Sequence, residues 1–184
     1  IDYDEYNIMK DFMIGLVKKA DVGKNQVRFG ALKYADDPEV LFYLDDFGTK
    51  LEVISVLQND QAMGGSTYTA EALGFSDHMF TEARGSRLNK GVPQVLIVIT
   101  DGESHDHDQL NDTALELRNK GITIFAVGVG KANQKELEGM AGNKNNTIYV
   151  DNFDKLKDVF TLVQERMCTE APEGKLLLLK FLWG

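Results

Sequence analysis

The strongest constraint on the fold is a regular alternation of apolar runs and helical patterns in the second half of the chain. Short runs at residues 94–100, 122–129 and 147–150 are each followed by a segment with the apolar spacing of a helix. The first two runs, read as "QVLIVIT" and "ITIFAVGV", are apolar on both faces, which is typical of central parallel strands. Strands that alternate with helices form βα units. The sequence therefore predicts a doubly wound α/β fold with a mainly parallel sheet.

The beginning of the chain has the pattern of an amphipathic helix. Apolar pairs recur every four residues over residues 8–17, so they form one stripe along a helix. Asp2, with Glu5 three residues later, matches a capping box at the start of that helix. We therefore expect the first helix to cover one face of the sheet.

Residues 27–35 and 40–44 are rich in β-branched and aromatic side chains and are separated by the sequence "DDPE". Asp and Pro favour turns, so the two runs predict a hairpin and hence one antiparallel edge strand. Further helices are expected over residues 50–59 and from about Thr69. The predicted sheet is thus parallel except at one edge.

The overall composition favours one compact domain that does not bind nucleic acid. The 184 residues are 43% hydrophobic and 27% charged, close to the average of globular proteins. The formal net charge of -9 is unfavourable for contact with phosphate backbones, because Lys and Arg supply most of that affinity. Cations and basic protein surfaces are the better expected partners.

Charged residues follow directly after the most apolar predicted strand, beginning at Asp101. In open α/β sheets, ligands bind beyond the carboxyl ends of the strands, so Asp101 is a candidate binding residue. The hydroxyls of Thr67 and Thr69, beside the flexible Gly64 and Gly65, are a second candidate, since hydroxyl and carboxylate oxygens bind hard cations. Two simpler interpretations remain open: a turn at Asp101, and capping of a helix by one of the threonines.

Taken together, "GGSTYTAEALGF", "QVLIVITDGESHD" and "GITIFAVGVG" resemble a von Willebrand factor A-type domain of the extracellular-matrix kind, as in collagens, matrilins and integrin α-chains. The resemblance covers residues 1–168 and leaves residues 169–184 as an apolar C-terminal tail. It implies a secreted protein of the extracellular matrix that acts in adhesion without catalysis. The implied partners are matrix proteins such as collagens.

The same resemblance implies a metal-ion-dependent adhesion site for Mg²⁺, built from three loops. Thr67 and Asp101 match the second and third loops of that site. The ligand surface implied around them comprises Gly65, Ser66, Thr69, Glu103, Ser104 and His105. No "DxSxS" sequence, which supplies the first loop, occurs in the chain, and the central first strand that precedes it is missing as well. We therefore expect Mg²⁺ binding to be weak or absent.

The apolar tail could replace the missing first strand. Residues 173–184, "EGKLLLLKFLWG", have the two-faced apolar character of a central strand and are too short to span a membrane. The tail follows the last predicted helix, whose end in this family lies beside the start of the first strand. A charge at Lys180 opposes insertion, since a buried charge is costly. The alternatives, a strand in the vacant position or a segment outside the sheet, both remain open.

Three other functions compete with the adhesion hypothesis. Gly128 and Gly130, with Asp151 further on, partly match a dinucleotide-binding fingerprint, but Asn133 stands where the third glycine belongs. A nucleotide-binding α/β enzyme and a metal-independent structural matrix domain are the alternatives. His105 and His107 could bind zinc, although the sequence offers no further ligand nearby, and a solvated charged loop explains them more simply.

Two sequons begin at Asn111 and Asn145, and in a secreted protein either would be a glycan acceptor on the surface. Such tripeptides also occur by chance. If the protein is secreted, Asn111 and Asn145 are its predicted glycosylation positions.

Cys168 is the only cysteine of the sequence, so it cannot form a disulfide within the chain. Proteins of the resembling family often pair a cysteine after the last helix with one before the first strand, a region this sequence does not contain. We expect one free thiol per monomer, or a disulfide to another chain in the secreted protein. Thiol titration of native and denatured protein measures this; no titratable thiol in an unmodified monomer would contradict it.

Overall fold

The computed structural model describes residues 3–170 and 178–183, and side chains as far as residue 166. The strands are β1 Arg28–Tyr34, β2 Pro38–Phe42, β3 Gln94–Thr100, β4 Ile122–Val129, β5 Thr147–Val150 and β6 Leu178–Trp183. The helices are α1 Tyr3–Lys19, α2 Lys50–Asn59, α3 Thr69–Met79, α4 His107–Asn119, α5 Gln134–Ala141 and α6 Leu156–Glu170. None of the helices in these described ranges is both long enough and apolar enough to cross a membrane.

The strands form one six-stranded sheet in the order β2-β1-β6-β3-β4-β5. β2 runs antiparallel to β1, and every other neighbouring pair is parallel. The predicted α/β class, with a mainly parallel sheet and one antiparallel edge strand, is confirmed. Pro38 is the first residue of the edge strand β2, where its missing N–H is tolerated.

Helices cover both faces of the sheet. Buried side chains of α1, α2 and α6 pack on one face, together with Phe29, Ile97 and Phe125. Those of α3, α4 and α5 pack on the other face, around Leu96 and Ile124. Each face therefore has its own apolar core, as a doubly wound fold requires.

Residues 178–183 of the apolar tail form β6, between β1 and β3. Its residues pair in parallel with both neighbours, so that Phe181 lies between Ala31 and Ile97 in the ladder. Position 180 pairs with Gly30 and with Leu96. Insertion leaves no gap in the centre of the sheet, and the backbone groups of β1 and β3 are paired there. Of the two alternatives for the tail, the structure shows insertion.

The predicted helices are present, with differences at their ends. α2 spans residues 50–59 as predicted, whereas α4 begins at His107 and not at Gln109. Apolar periodicity does not predict the first residues of α4, because the first buried residue of that helix is Leu110. Asp2 of the predicted capping box lies outside the described residues. The side chain of Cys168 lies outside the described residues as well. The predicted domain boundary at residue 168 stays a prediction; helix α6 continues past it to Glu170.

Hydrogen exchange tests the position of β6. The amides of Leu178–Trp183 should be protected as strongly as those of β3, because both strands are paired on two sides. The amides of β2, which is paired only with β1 in the sheet, provide the comparison and should exchange faster. Exchange at coil rates throughout Leu178–Trp183 would mean that the strand is not inserted.

Candidate functional site

The loops that follow the parallel strands meet at one edge of the sheet, here called the carboxyl edge. The strand order runs outward from β6 in opposite directions, to β1 and β2 on one side and to β3, β4 and β5 on the other. The junction of β6 and β3 is therefore a topological switch point, where open α/β sheets bind ligands. Asp101 follows β3 directly at this point and is half-buried.

Two of the predicted loops are bound to each other through Thr67 and His105. The Thr67 N–H donates to Nδ1 of His105 at 3.0 Å, and the His105 N–H donates to the Thr67 carbonyl at 2.8 Å. The His105 ring also lies against the ring of Tyr68, with 5.6 Å between the centroids. These contacts fix the loop after β3 against the loop before α3.

Thr67 and Asp101 lie on these two facing loops. The Thr67 hydroxyl oxygen is 3.9 Å from the position that a Cβ on Gly102 would take. Asp101 also borders a cleft of about 280 Å³ that extends toward Gly130 and Asp151 at the ends of β4 and β5. The structure thus brings together the loops that carry the two predicted metal ligands.

Asp106 has a role that the sequence did not predict: it caps α3 from another loop. Its two carboxylate oxygens accept from the N–H groups of Ala70 at 3.0 Å and Glu71 at 2.8 Å. Tyr68 occupies the N-cap position and forms no side-chain cap. The hypothesis that a threonine caps this helix is therefore wrong. Carboxylates are favourable at helix N-termini because they pair with free N–H groups and the helix dipole.

Thr69 and Ser104, predicted to belong to the ligand surface, are buried at 1% and 4% exposure. The Thr69 hydroxyl lies 3.2 Å from the hydroxyl of Tyr34, and the Ser104 hydroxyl donates to Asp106. Burial raises the pKa of Tyr34 to about 12, so this phenol stays protonated at physiological pH. Both side chains are buried beneath the surface of the carboxyl edge, where they bond to other protein groups and are not available to a ligand.

The loop after β3 is also held to the start of α5. The Ser104 N–H donates to Glu136 Oε2 at 2.9 Å, and the Asn133 amide donates to Glu103 at 3.1 Å. Burial raises the pKa of the Glu136 carboxyl, and the hydrogen bond from Ser104 opposes that rise. Asn133 itself caps α5 by accepting from Lys135 N–H at 3.0 Å. Asn133, which stands where the dinucleotide fingerprint requires a glycine, therefore serves as the N-cap of α5.

Gly65 and Ser66 contact the turn that follows β1. The Ser66 N–H donates to Asp36 Oδ1 at 2.8 Å. Gly65 has φ 141°, and a Cβ there would lie 2.7 Å from the Asp36 carboxylate. Only glycine permits this close approach, so Gly65 is needed for the loop to reach Asp36.

The two histidines after β3 do not converge on a metal. Nδ1 of His105 faces Thr67, while the ring nitrogens of His107 lie 3.3 Å from the Ser104 carbonyl and 3.3 Å from Asp108. In the part of the chain that is described, no three or more His, Cys, Asp or Glu side chains group closely enough to hold a metal. The solvated-loop interpretation is incomplete as well, because Asp106 and His105 have specific partners.

The two sequon asparagines differ in their surroundings. Asn111 is exposed on α4, but its amide fills the space beside Gly139, where a Cβ would collide with it. Asn145 is exposed in a short 3₁₀ turn, and its carbonyl accepts from Arg166. Glycan acceptors are surface loop residues, so Asn145 is the better candidate of the two.

Comparison with known proteins identifies the domain. The sequence profile of the von Willebrand factor type A domain matches residues 1–162. The chain belongs to this family. It is 78% identical over 171 residues to the human collagen alpha-6(VI) chain, a match that covers 93% of this chain and 8% of that protein. Mouse matrilin-2 is 30% identical over 169 residues, covering 90% of this chain and 18% of matrilin-2.

Solved von Willebrand factor type A structures share the fold. Proximal thread matrix protein 1 from the mussel byssus, with a zinc-occupied MIDAS motif, superposes with a TM-score of 0.82 at 28% identity, covering 87% of this chain and 42% of that one. The chain spans only a small part of its collagen VI relatives. Collagen VI chains and matrilins are secreted matrix proteins, so the predicted extracellular-matrix localisation is confirmed.

Von Willebrand factor type A domains typically bind a divalent metal, but the described residues do not fit a complete site. Thr67 and Asp101 offer one hydroxyl and one carboxylate from two facing loops. Mg²⁺ needs six ligands in a near-octahedral arrangement, and these two side chains alone do not supply them. Among the described residues, hydrogen bonds between protein groups join the loops of the carboxyl edge.

Asp106→Ala should lower the free energy of unfolding by about 0.5–2 kcal/mol, because α3 loses its cap. Asp108→Ala is the matched control, since its side chain is 93% exposed and contacts only His107 among the ion pairs found. Urea denaturation of the three proteins measures the difference. Equal effects of the two substitutions would show that Asp106 does not cap the helix.

Proposed function

We propose that this domain is a non-catalytic protein-binding module of the extracellular matrix, with the carboxyl edge as its ligand surface. The observation that carries the proposal is the pair of reciprocal hydrogen bonds between Thr67 and His105. They hold two loops at the switch point in one arrangement before any ligand arrives. Preorganised loops lose less conformational entropy on binding, which favours affinity.

The exposed part of this surface consists of backbone and polar side chains at the rim of the two loops. Its proposed contact residues are Gly65, Ser66, Thr67, Asp101, Glu103 and His105. Two of them are carboxylates, and the whole chain has a net charge of -9. Complementary charge selects partners and speeds their encounter. A basic or hydroxyl-rich segment of a matrix protein such as a collagen is the proposed partner.

Binding through this surface is proposed to require no metal. Thr67 and Asp101 supply too few oxygens for tight Mg²⁺ binding. The loops are already joined by Thr67 and His105, and Asp106 already joins the loop after β3 to α3. A cation is thus not needed to assemble the surface, and weak or absent Mg²⁺ binding is compatible with adhesion.

Catalysis is not part of the proposal. Close relatives of the chain are structural collagen VI chains. The glycines of the partial dinucleotide fingerprint serve the fold: a Cβ on Gly128 would collide with Leu137 of α5, and Gly130 has φ 60°. The competing proposal of a purely structural matrix domain rests on the incomplete metal site, and it differs in predicting no ligand at the carboxyl edge.

Asp101→Ala should weaken binding to a matrix partner about tenfold or more, because the substitution removes a carboxylate at the centre of the proposed surface. Binding of a panel of collagens and other matrix proteins to the immobilised domain, with Mg²⁺ and with a chelator, measures this. The control is Asp112→Ala, an exposed carboxylate on α4 that lies outside the surface.

Binding that persists in chelator and is lost with Asp101→Ala, but not with Asp112→Ala, supports the proposal. Binding that Asp101→Ala and Thr67→Ala leave unchanged would place the ligand surface elsewhere. Binding that disappears in chelator would show that a metal is required. No binding to any matrix protein would favour the structural domain.

A further inference from the structure

We infer that the space between β1 and β3 is an acceptor site for a parallel strand, and that it can take β6 from a second copy of this chain. The site is called the strand slot here and is bordered by Arg28–Lys33 on β1 and Gln94–Ile99 on β3. The inference rests on how these two borders are joined at both ends of the slot by groups that do not belong to β6.

The strand slot is closed at its amino end by three arginine hydrogen bonds. Arg87, in the segment before β3, donates to the carbonyls of Lys24, at 3.3 Å, and of Gln26, both before β1. Arg28, the first residue of β1, donates to the Gly85 carbonyl at 3.1 Å. The starts of the two border strands are therefore fixed to each other by side chains outside the slot.

The carboxyl end of the slot is closed through α3. The Tyr68 N–H donates to the carbonyl of Ala35, just beyond β1, at 3.3 Å, and Tyr34 of β1 meets Thr69. Asp106 and His105, from the loop after β3, bind the start of the same helix and the residue Thr67 before it. β1 and β3 are thus both attached to α3, and the attachment involves none of the β6 residues.

Helices also form the two walls of the slot. Met13 of α1 belongs to one core cluster with Phe29 of β1 and Ile97 of β3. On the opposite face, Leu73 of α3 belongs to a cluster with buried residues of both border strands. On each face, residues of both border strands therefore share a core cluster with a helix outside the sheet. The described contacts thus link the two border strands at both ends of the slot and through one core cluster on each face.

β6 is the element best suited to exchange between copies. It joins two groups of strands, β2-β1 and β3-β4-β5, which have no ladder to each other. Its own ladders are to β1 and β3, both parallel. A second copy presents the same segment in the same register, so all ladder hydrogen bonds can re-form between chains, as in domain swapping. Exchange is favoured by high protein concentration, because it is a bimolecular process.

Disulfide trapping between two single-cysteine variants tests the inference. Leu32 and Leu182 are partners in the β1–β6 ladder, so Leu32→Cys in one chain and Leu182→Cys in the other can join only when β6 of the second occupies the slot of the first. Both variants carry Cys168→Ser. They are unfolded together, refolded at high concentration, oxidised and analysed by non-reducing electrophoresis and mass spectrometry.

The expected result is a covalent heterodimer whose yield rises with the concentration during refolding. The off-register control, Leu178→Cys with Leu32→Cys, should give none, because Leu178 pairs with Arg28 at the other end of the ladder. The double variant Leu32→Cys/Leu182→Cys shows whether the pair can join within one chain. If the double variant joins but the mixture never does, exchange does not occur. If neither joins, β6 does not occupy the slot.

Discussion

The fold depends on the hydrogen-bond ladders that β6 forms with β1 and β3. A strand in the middle of a sheet exposes backbone donors and acceptors on both sides, and each one left unpaired in the interior costs about 1–3 kcal/mol. β1 and β3 have no ladder to each other, so their inner edges are satisfied by β6 alone within the sheet. The apolar character of residues 178–183 matters because this strand lies between two helical layers.

The carboxyl edge follows from the same arrangement. Since β1, β6, β3, β4 and β5 run parallel, the loops after β1, β3, β4 and β5 meet on one side of the sheet. The charged residues after β3 are used there in different ways: Asp106 caps a helix, Glu103 accepts from α5, and His105 joins the facing loop. The apolar strand thus ends in charge because its loop connects two helices and a neighbouring loop.

How much the sequence could predict depends on the range of each interaction. Strand β3 and helix α2 have the predicted ends, because apolar runs and periodicity are local signals. The cap by Asp106 could not be predicted, since its partner Ala70 is 36 positions away and only the fold brings them together. The burial of Thr69 and Ser104 was missed for the same reason. The sequence did not decide whether the tail inserts as β6. An apolar pattern shows that a segment suits a central strand, but it does not identify the neighbouring strands or the register.

The cap on α3 has a mechanical consequence. The helix runs from the carboxyl edge to Met79, which is buried within the core on that face. Both oxygens of the Asp106 carboxylate accept from the first turn of the helix, so two hydrogen bonds tie the loop after β3 to the helix. A force applied to this loop would therefore be passed through these hydrogen bonds to α3 and along the helix to the core around Met79.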